Sequence, residues 1–373
     1  MQNKLMTAAD AIARFVHDGD CIAFGGFSTN RRAYGLVREV IRQKKKDLTV
    51  ESGSAGGDID MLIGAGCVKV MNISYIANSG FTMVCRRFRE AVEQGRLPVE
   101  DYSLDVQTIA YHGAALGLPY VPVKNMLGSD LETVWGISEE ERKKYPKLPA
   151  KKFAVADDPF HPGSKLCLVP TPQIDVALVH VQKASPDGTC RIEGARFQDE
   201  DIAIAAKHTI VSCEELVTDE EMHADPNANT LPGLCVDAVV HLPWGAHPSQ
   251  CYGYYDYDPK AMIAYDKASR TQESFDAWLA ESLGEDHEGY LQTIGEAHLR
   301  DRYPGRGSFG GSHQRVRSEA QPRGVGPVAP VPLLRLPDPG GAERGDRGRF
   351  SGRRTDRPLR QSQLDLYRRL FSP

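Results

Sequence analysis

Short runs of apolar residues alternate along the first half of the chain with longer amphipathic stretches. Residues 68–76 alternate between apolar and polar positions and predict a strand, whereas residues 21–24 and 48–50 are short apolar runs that end in small or polar residues. A buried parallel strand has this appearance, because both of its faces are covered. The intervening stretches repeat apolar residues at helical spacing and predict helices at residues 7–16, 34–46 and 84–94. Strands and helices in this order predict an α/β fold with an open, mostly parallel sheet flanked by helices.

The later part of the chain continues this pattern with one interruption. Residues 143–162 are charged and rich in proline, which predicts a surface excursion or a lid. A proline followed by Asp-Gly within residues 184–189 favours a tight turn, because proline presets φ and glycine accepts a positive φ. This turn predicts a hairpin. Further strands are predicted at residues 120–123, 176–181, 209–213 and 236–240, and further helices at residues 61–63, 108–117 and 271–283.

The last part of the chain differs in composition from the rest. Beyond about residue 303, glycine, proline and arginine dominate, and Lys267 is the last lysine. A segment of this kind buries too little apolar surface to order itself. We therefore predict one α/β domain over residues 1–302 and a tail over residues 303–373 that is disordered or translated out of frame. A basic tail that binds anions or RNA is the functional alternative.

Composition and charge argue against several classes of function. The net charge of −5 provides no strong field for nucleic acid or for a membrane surface. The sequence has no run of about 18 apolar residues, and its first residues lack the apolar core of a secretory signal. The eight cysteines form no CxxC pair and the eleven histidines show no metal-ligand spacing. We therefore expect a cytoplasmic protein with reduced thiols and no metal site.

Two predicted strand ends carry groups suited to acyl chemistry. The first apolar run leads into Gly25, Gly26 and Phe27, and the second leads into Glu51. Ligands bind at the carboxyl ends of parallel strands, where glycine lets backbone N–H groups approach them. A carboxylate near free backbone amides could act as a nucleophile beside an oxyanion site. The structural alternative for the glycines is a tight turn from strand to helix.

Several motifs spread over most of the chain indicate a family. They lie at residues 18–27, 56–64, 77–80, 86–89, 114–119, 184–189, 235–240 and 245–253. Together they resemble the A-type subunits of glutaconate CoA-transferase, which belong to the class I CoA-transferase family. The resemblance covers residues 1 to about 302 and implies the α/β fold of that family.

The resemblance implies an enzyme that moves CoA from an acyl-CoA, such as acetyl-CoA, to a short carboxylate or dicarboxylate. Glutaconate and 2-hydroxyglutarate are the expected acceptors, and the transfer passes through a glutamyl-CoA thioester. CoA is then a cosubstrate, and no tightly bound cofactor or metal is implied. One alternative is a CoA-ester hydrolase, a ring-cleaving enzyme or a decarboxylase on the same fold. The other is a structural subunit without chemistry of its own.

The position of Glu51 leaves two interpretations open. In the two-subunit enzymes of this family, a separate B-type chain normally carries the nucleophilic glutamate. The two subunits share one fold, and Glu51 stands at the corresponding strand end of this chain. Either Glu51 is a remnant or a supporting carboxylate and a B-type partner supplies the nucleophile, or Glu51 is itself the nucleophile. We prefer the first interpretation, because the rest of the chain resembles the A-type subunits.

Two further loops carry candidate binding residues. The first follows a predicted strand and could hydrogen-bond a substrate carboxylate, with a polar turn as the alternative. The second follows the strand predicted at residues 236–240 and is expected to line a pocket at the subunit interface. The candidates in these loops are Asn78, Ser79, Gly80, His247, Ser249 and Gln250.

Overall fold

A parallel sheet forms the centre of the structure, which is a computed structural model that describes residues 3–295 and 297–299. The strands are β1 (Cys21–Phe24), β2 (Leu48–Ser52), β3 (Val68–Ile73), β4 (Val99–Asp101), β5 (Tyr120–Val123), β6 (Ala154–Asp157), β7 (Lys165–Pro170), β8 (Val176–Ala184), β9 (Cys190–Arg191), β10 (His208–Leu216) and β11 (Ala238–His241). Seven of them lie side by side in the order β11-β10-β8-β1-β2-β3-β4, and neighbours along this order are parallel. The predicted mostly parallel α/β sheet is therefore confirmed.

Helices cover both faces of this sheet. They are α1 (Ala8–Phe15), α2 (Tyr34–Arg42), α3 (Gly57–Gly64), α4 (Arg86–Glu93), α5 (Leu104–Ala115), α6 (Asp130–Thr133), α7 (Glu139–Arg142), α8 (Asp199–Ala205), α9 (Asp219–Ala224), α10 (Pro259–Ala268), α11 (Gln272–Ser282) and α12 (His287–Ile294). In β1, Ile22 joins the core cluster that contains α1, α2 and α3. The next residue, Ala23, joins the cluster with Tyr111 of α5 and Ile202 of α8. Alternate side chains of one strand thus fill two cores, as expected for a strand buried on both faces.

Helix α3 and strand β5 are among the elements that differ from their predictions. Helix α3 begins at Gly57, before the predicted start at Met61, because the Asn78 side chain accepts the Gly57 N–H (2.8 Å) and satisfies the first turn. Strand β5 does not join the parallel sheet but pairs antiparallel with β7, which also pairs with β6. β5 is an edge strand of this small sheet, where Pro122, which lacks an N–H, is tolerated.

The predicted hairpin at residues 184–189 is confirmed. Strand β9 pairs antiparallel with β8 across this turn. Gly188 has a φ of 96°, and the Asp187 carboxylate accepts the Thr189 N–H (2.8 Å). The turn therefore has the glycine geometry and the local side-chain hydrogen bond that its sequence favours.

The tail predicted over residues 303–373 lies outside the described residues. The domain boundary at residue 302 lies outside them as well and stays a prediction. Among the residues that the structure describes, no helix combines the length and the apolar character needed to span a bilayer.

Candidate active site

The glycine loop after β1 is held by its own hydrogen bonds. The Gly25 N–H donates to a carbonyl of β8 (2.9 Å), and the Phe27 N–H donates to the Asn30 carbonyl (3.0 Å). The Gly26 N–H donates to the Asp199 carboxylate (2.9 Å). These amides are not free, although the hypothesis of an oxyanion site assumed that they were. The three residues form a tight turn, and a role for them in CoA or substrate binding stays a prediction.

An ion pair supports this loop from the α8 side of the sheet. The Arg31 guanidinium lies 2.7 Å from the Asp199 carboxylate, and both side chains are buried. A side chain at Gly25 would collide with the same carboxylate, which explains the glycine there. Burial raises the pKa of Asp199, but the Arg31 charge and the hydrogen bonds from Arg31 and Gly26 outweigh it and hold the pKa below its usual value. Asp199 was not predicted from the sequence. The signal that could have indicated it is the acidic first turn of α8.

The loop with Asn78, Ser79 and Gly80 lies next to the glycine loop. The Asn78 side-chain oxygen caps α3 and is buried. The Ser28 hydroxyl donates to the Ser79 hydroxyl (2.7 Å), whereas Ser79 and Gly80 are exposed. Asn78 therefore supports the loop, and Ser79 and Gly80 line its open edge. Contact of these three residues with a substrate carboxylate stays a prediction.

The loop with His247, Ser249 and Gln250 packs against the glycine loop from the other side. His247 is 1% exposed, with Nδ1 at 2.6 Å from the Tyr290 hydroxyl and Nε2 at 3.1 Å from Asp258. Burial lowers the pKa of His247, although Asp258 opposes this effect. The Ser249 hydroxyl accepts a backbone N–H from the segment after the glycine loop (3.0 Å), and the Gln250 side chain donates to that same segment. The structure thus brings this loop to the carboxyl edge of β1, with Gln250 partly exposed there.

Glu51 points towards α5 instead of towards the open edge. Its carboxyl accepts hydrogen bonds from the Asn72 amide (2.5 Å) and the Tyr111 hydroxyl (3.3 Å). Burial raises the pKa of Glu51 from an ordinary 4.5 to about 7, although hydrogen bonds from Asn72, Tyr111 and Gln107 act in the opposite direction. The side chain lines a cavity of about 250 Å³ between α5 and the small antiparallel sheet.

Apolar side chains surround the open edge. The Phe27 ring packs edge-on against Phe197, with 4.7 Å between centroids. The Phe81 ring contacts Tyr257 at 5.8 Å, and neighbouring Met83 is 88% exposed. This edge combines hydroxyl and amide groups with apolar surface, and such a combination suits contact with another molecule.

One buried cluster has the residue types of a metal site. Ligand atoms of His180, Glu214 and Cys251 lie within 4.8 Å of one another. The His180 ring already pairs with Glu214 (2.7 Å) and with the Ser212 hydroxyl (2.8 Å). Burial raises the pKa of Cys251 well above its usual value, which disfavours the thiolate that a metal needs. The cluster is therefore accounted for as a hydrogen-bond network.

Known proteins share both the sequence pattern and the fold of this chain. Residues 5–242 match the model of the family described as coenzyme A transferase. The chain belongs to the coenzyme A transferase family. This coenzyme A transferase chain is 56% identical over 299 residues to the A-type subunit of glutaconate CoA-transferase from Acidaminococcus fermentans, over 80% of this chain and 93% of that relative.

Two further comparisons agree. The chain is 36% identical over 284 residues to the A-type subunit of 3-oxoadipate CoA-transferase from Pseudomonas knackmussii, covering 75% of this chain and 93% of that one. Its structure is similar to the crystal structure of glutaconate coenzyme A-transferase from Acidaminococcus fermentans, with a TM-score of 0.79 and 55% identity. This match covers 80% of the present chain and 95% of the other. The family resemblance predicted from the motifs is confirmed.

Proposed function

We propose that this chain is the A-type subunit of a CoA-transferase that works with a separate B-type chain. The enzyme moves CoA from an acyl-CoA such as acetyl-CoA to a short dicarboxylate such as glutaconate or 2-hydroxyglutarate. The observation that carries the proposal is the similarity to the A-type subunit of glutaconate CoA-transferase along most of both chains. The relative named for 3-oxoadipate supports acceptors with two carboxylates.

The proposed reaction exchanges one thioester for another. A glutamate carboxylate attacks the acyl-CoA carbonyl, and CoA thiolate leaves as a mixed anhydride forms. The thiolate attacks the glutamyl carbonyl, which yields the glutamyl-CoA thioester and releases the donor acid. The acceptor acid then runs the same steps in reverse, so that CoA is a cosubstrate and ATP is not consumed. Both intermediates react with water, so the site must be closed during transfer.

The open edge supports a partner that completes the site. Met83, Phe81 and Tyr257 place apolar surface beside the exposed Ser79 and Gly80. Exposed apolar surface next to polar groups is typical of protein interfaces. A B-type chain seated on this edge would exclude water and bring its glutamate to the loops after β1 and β3.

We assign the nucleophile to that partner and not to Glu51. The Glu51 carboxyl is buried towards α5, whereas Ser79, Gly80 and Gln250 lie at the open edge. Its pKa of about 7 leaves a large protonated fraction at neutral pH, and only the carboxylate attacks a thioester. Its direction argues against Glu51 as the nucleophile in this arrangement, while its protonation removes only about half of the reactive form at pH 7.

The state of the cysteines bears on localisation. All eight are free thiols, and seven of them are buried. Free thiols are typical of proteins kept in a reducing compartment. We therefore place the enzyme in the cytoplasm, and we propose no tightly bound cofactor.

Glu51→Gln in the complex co-expressed with the B-type chain tests the assignment. We expect the rate of CoA transfer to change by no more than about fivefold, because the variant keeps the size of the side chain and the partner keeps the nucleophile. Glu93→Gln, on the exposed surface of α4, is the matched control. Loss of several orders of magnitude on Glu51→Gln alone would identify Glu51 as the nucleophile.

The same complex distinguishes transfer from hydrolysis. Acyl-CoA is supplied with and without an acceptor acid, and the release of free CoA is followed. We expect the new acyl-CoA to appear only when the acceptor is present. Rapid release of CoA without an acceptor would contradict transfer and favour a hydrolase on the same fold.

A further inference from the structure

The cavity beside Glu51 is a preformed chamber of about 250 Å³. Glu51 and Asn72 come from the parallel sheet, Tyr111 comes from α5, and residues 146–149 and 170–173 form much of the remaining wall. Because proline fixes φ, a proline-rich wall is stiff, and a stiff cavity loses little entropy when a ligand binds. The prolines that line it are Pro119, Pro146, Pro149, Pro170 and Pro172.

One side of the cavity carries a buried carboxyl without a cation and a buried amide oxygen without a hydrogen-bond donor among the described residues. Glu51 is 6% exposed, and within the described chain it is held by hydrogen bonds from neutral groups instead of by a cation. Asn72 is 5% exposed and donates its amide to Glu51, while its side-chain oxygen has no hydrogen-bond partner among the described residues. Buried carboxylates are normally paired with a cation, and buried amide oxygens normally accept a hydrogen bond. A group with a positive charge and several N–H donors would satisfy both.

A cation lines the same cavity. Lys147 has its ammonium 2.6 Å from one oxygen of Asp175. The other oxygen of Asp175 contacts Lys207 (2.8 Å). Lys147 therefore shares the Asp175 carboxylate with Lys207, on which Asp20 also acts. An anionic group of a ligand would be attracted to Lys147.

We propose that this cavity binds a small zwitterionic amino acid, with its ammonium group on Glu51 and Asn72 and its carboxylate towards Lys147. The cavity is several times larger than the roughly 30 Å³ of a water molecule, so a compound of a few carbon atoms fits. A simple carboxylic acid offers no cation to Glu51 and adds a second anion beside its ionised form, so the site discriminates against acids of the kind used in the transfer reaction. The proposal goes beyond the proposed function and does not depend on it.

Three compounds with three carbon atoms each test the ligand class. Calorimetric titration of the full-length chain, in complex with its B-type partner, compares β-alanine, propylammonium chloride and sodium propionate. We expect β-alanine to bind tightest and propylammonium about tenfold more weakly, since it lacks the contact with Lys147. We expect propionate to bind least.

Two variants assign the contacts. Glu51→Gln should weaken the binding of both ammonium compounds by roughly tenfold or more, whereas Lys147→Met should weaken that of β-alanine only, to the level of propylammonium. Glu93→Gln should leave all three affinities unchanged. If the thermal melt shows that Glu51→Gln does not fold, Lys147→Met alone tests the proposal. We expect this variant to fold, because Lys147 is 28% exposed and Asp175 keeps its contact with Lys207.

Three results would overturn the proposal. The first is that propionate binds tightest. Glu51 would then be protonated and would donate a hydrogen bond to the propionate carboxylate. The second is that none of the compounds binds at millimolar concentration. The third is that Lys147→Met leaves the preference for β-alanine over propylammonium intact, in which case the amino-acid carboxylate does not face Lys147.

Discussion

Glu51 loses water on folding without gaining a cation, and this makes its ionisation unfavourable. Burial raises its pKa from 4.5 to about 7. The titratable groups around it are Cys21, Tyr102 and Tyr111, and burial raises the pKa of each of them, so they stay neutral at and below pH 7. Lys147, on the same cavity, pairs with Asp175. Glu51 is therefore the group of this cavity that changes charge in the folded protein near pH 7, whereas it ionises near pH 4.5 in the unfolded chain.

We expect Glu51→Gln to stabilise the chain above neutral pH. Between about pH 4.5 and 7 the folded protein keeps a proton that the unfolded chain has lost, so the free energy of unfolding falls as pH rises. At about 1.4 kcal/mol for each unit of pKa, the penalty above pH 7 is roughly 3 kcal/mol, and glutamine removes it. Urea unfolding of both proteins at about pH 4.5 and pH 8 measures the difference, which should be small at the lower pH and large at the higher one.

A surface residue provides the control for this effect. Glu93→Gln removes the same charge from an exposed position of α4 and should change the free energy of unfolding little at either pH. A stabilisation by Glu51→Gln that is equal at both pH values would contradict the proton linkage. It would indicate a packing effect of the amide instead.

At the scale of elements, the segment predicted as a surface excursion or a lid is partly a structural anchor. Lys152 is fully buried within it, 3.2 Å from the Glu100 carboxylate and 3.5 Å from that of Asp101. Glu100 also pairs with the buried Arg142 at the end of α7. These pairs connect the strand β4 of the parallel sheet to the segment that leads into the small sheet. The charges that suggested a solvent-exposed segment are in part internal.

We expect Glu100→Gln to destabilise the protein more than Lys152→Met. Glutamine leaves Arg142 without a carboxylate and Lys152 with Asp101 alone, and an uncompensated buried charge costs about 3–5 kcal/mol. Lys152→Met removes one cation and keeps the pair between Glu100 and Arg142, so its cost should be at most about half as large. Thermal and urea unfolding of the two variants give the comparison. A larger loss for Lys152→Met would mean that packing of its aliphatic chain dominates.

These elements also show what could be predicted from the sequence. Strands β1, β2 and β8 were predicted because burial on both faces leaves a local apolar run, and so the carboxyl edge with its glycine loop was located correctly. The antiparallel pairing of β5 with β7 depends on residues distant in the sequence, and no local pattern encodes it. For the same reason Asp199 beneath the glycine loop, and Tyr111 beside Glu51, were missed.

At the scale of the whole molecule, the open edge of the sheet forms an incomplete site. The loop after β1 contacts Gln250 through Asn30 and Ser79 through Ser28, while the carboxylate of Glu51 is directed elsewhere. The proposed transfer reaction needs both a carboxylate at this edge and protection from water. A partner seated on the apolar rim would supply both, which explains why so large an apolar residue as Met83 is left exposed here.

We expect Met83→Glu to weaken assembly with the B-type chain by about tenfold or more, because it places a charge in the proposed apolar interface. Leu234→Glu is the matched control, since Leu234 is equally exposed (87%, against 88% for Met83) but precedes β11 at the opposite end of the sheet. Co-expression with a tagged B-type chain, followed by quantitative pull-down and light scattering, measures the assembly. Thermal melts of the isolated variants should be unchanged, since both residues are on the surface. Loss of assembly with Leu234→Glu alone would move the interface to the β11 end of the sheet and remove the proposed partner from the loops that carry the candidate site.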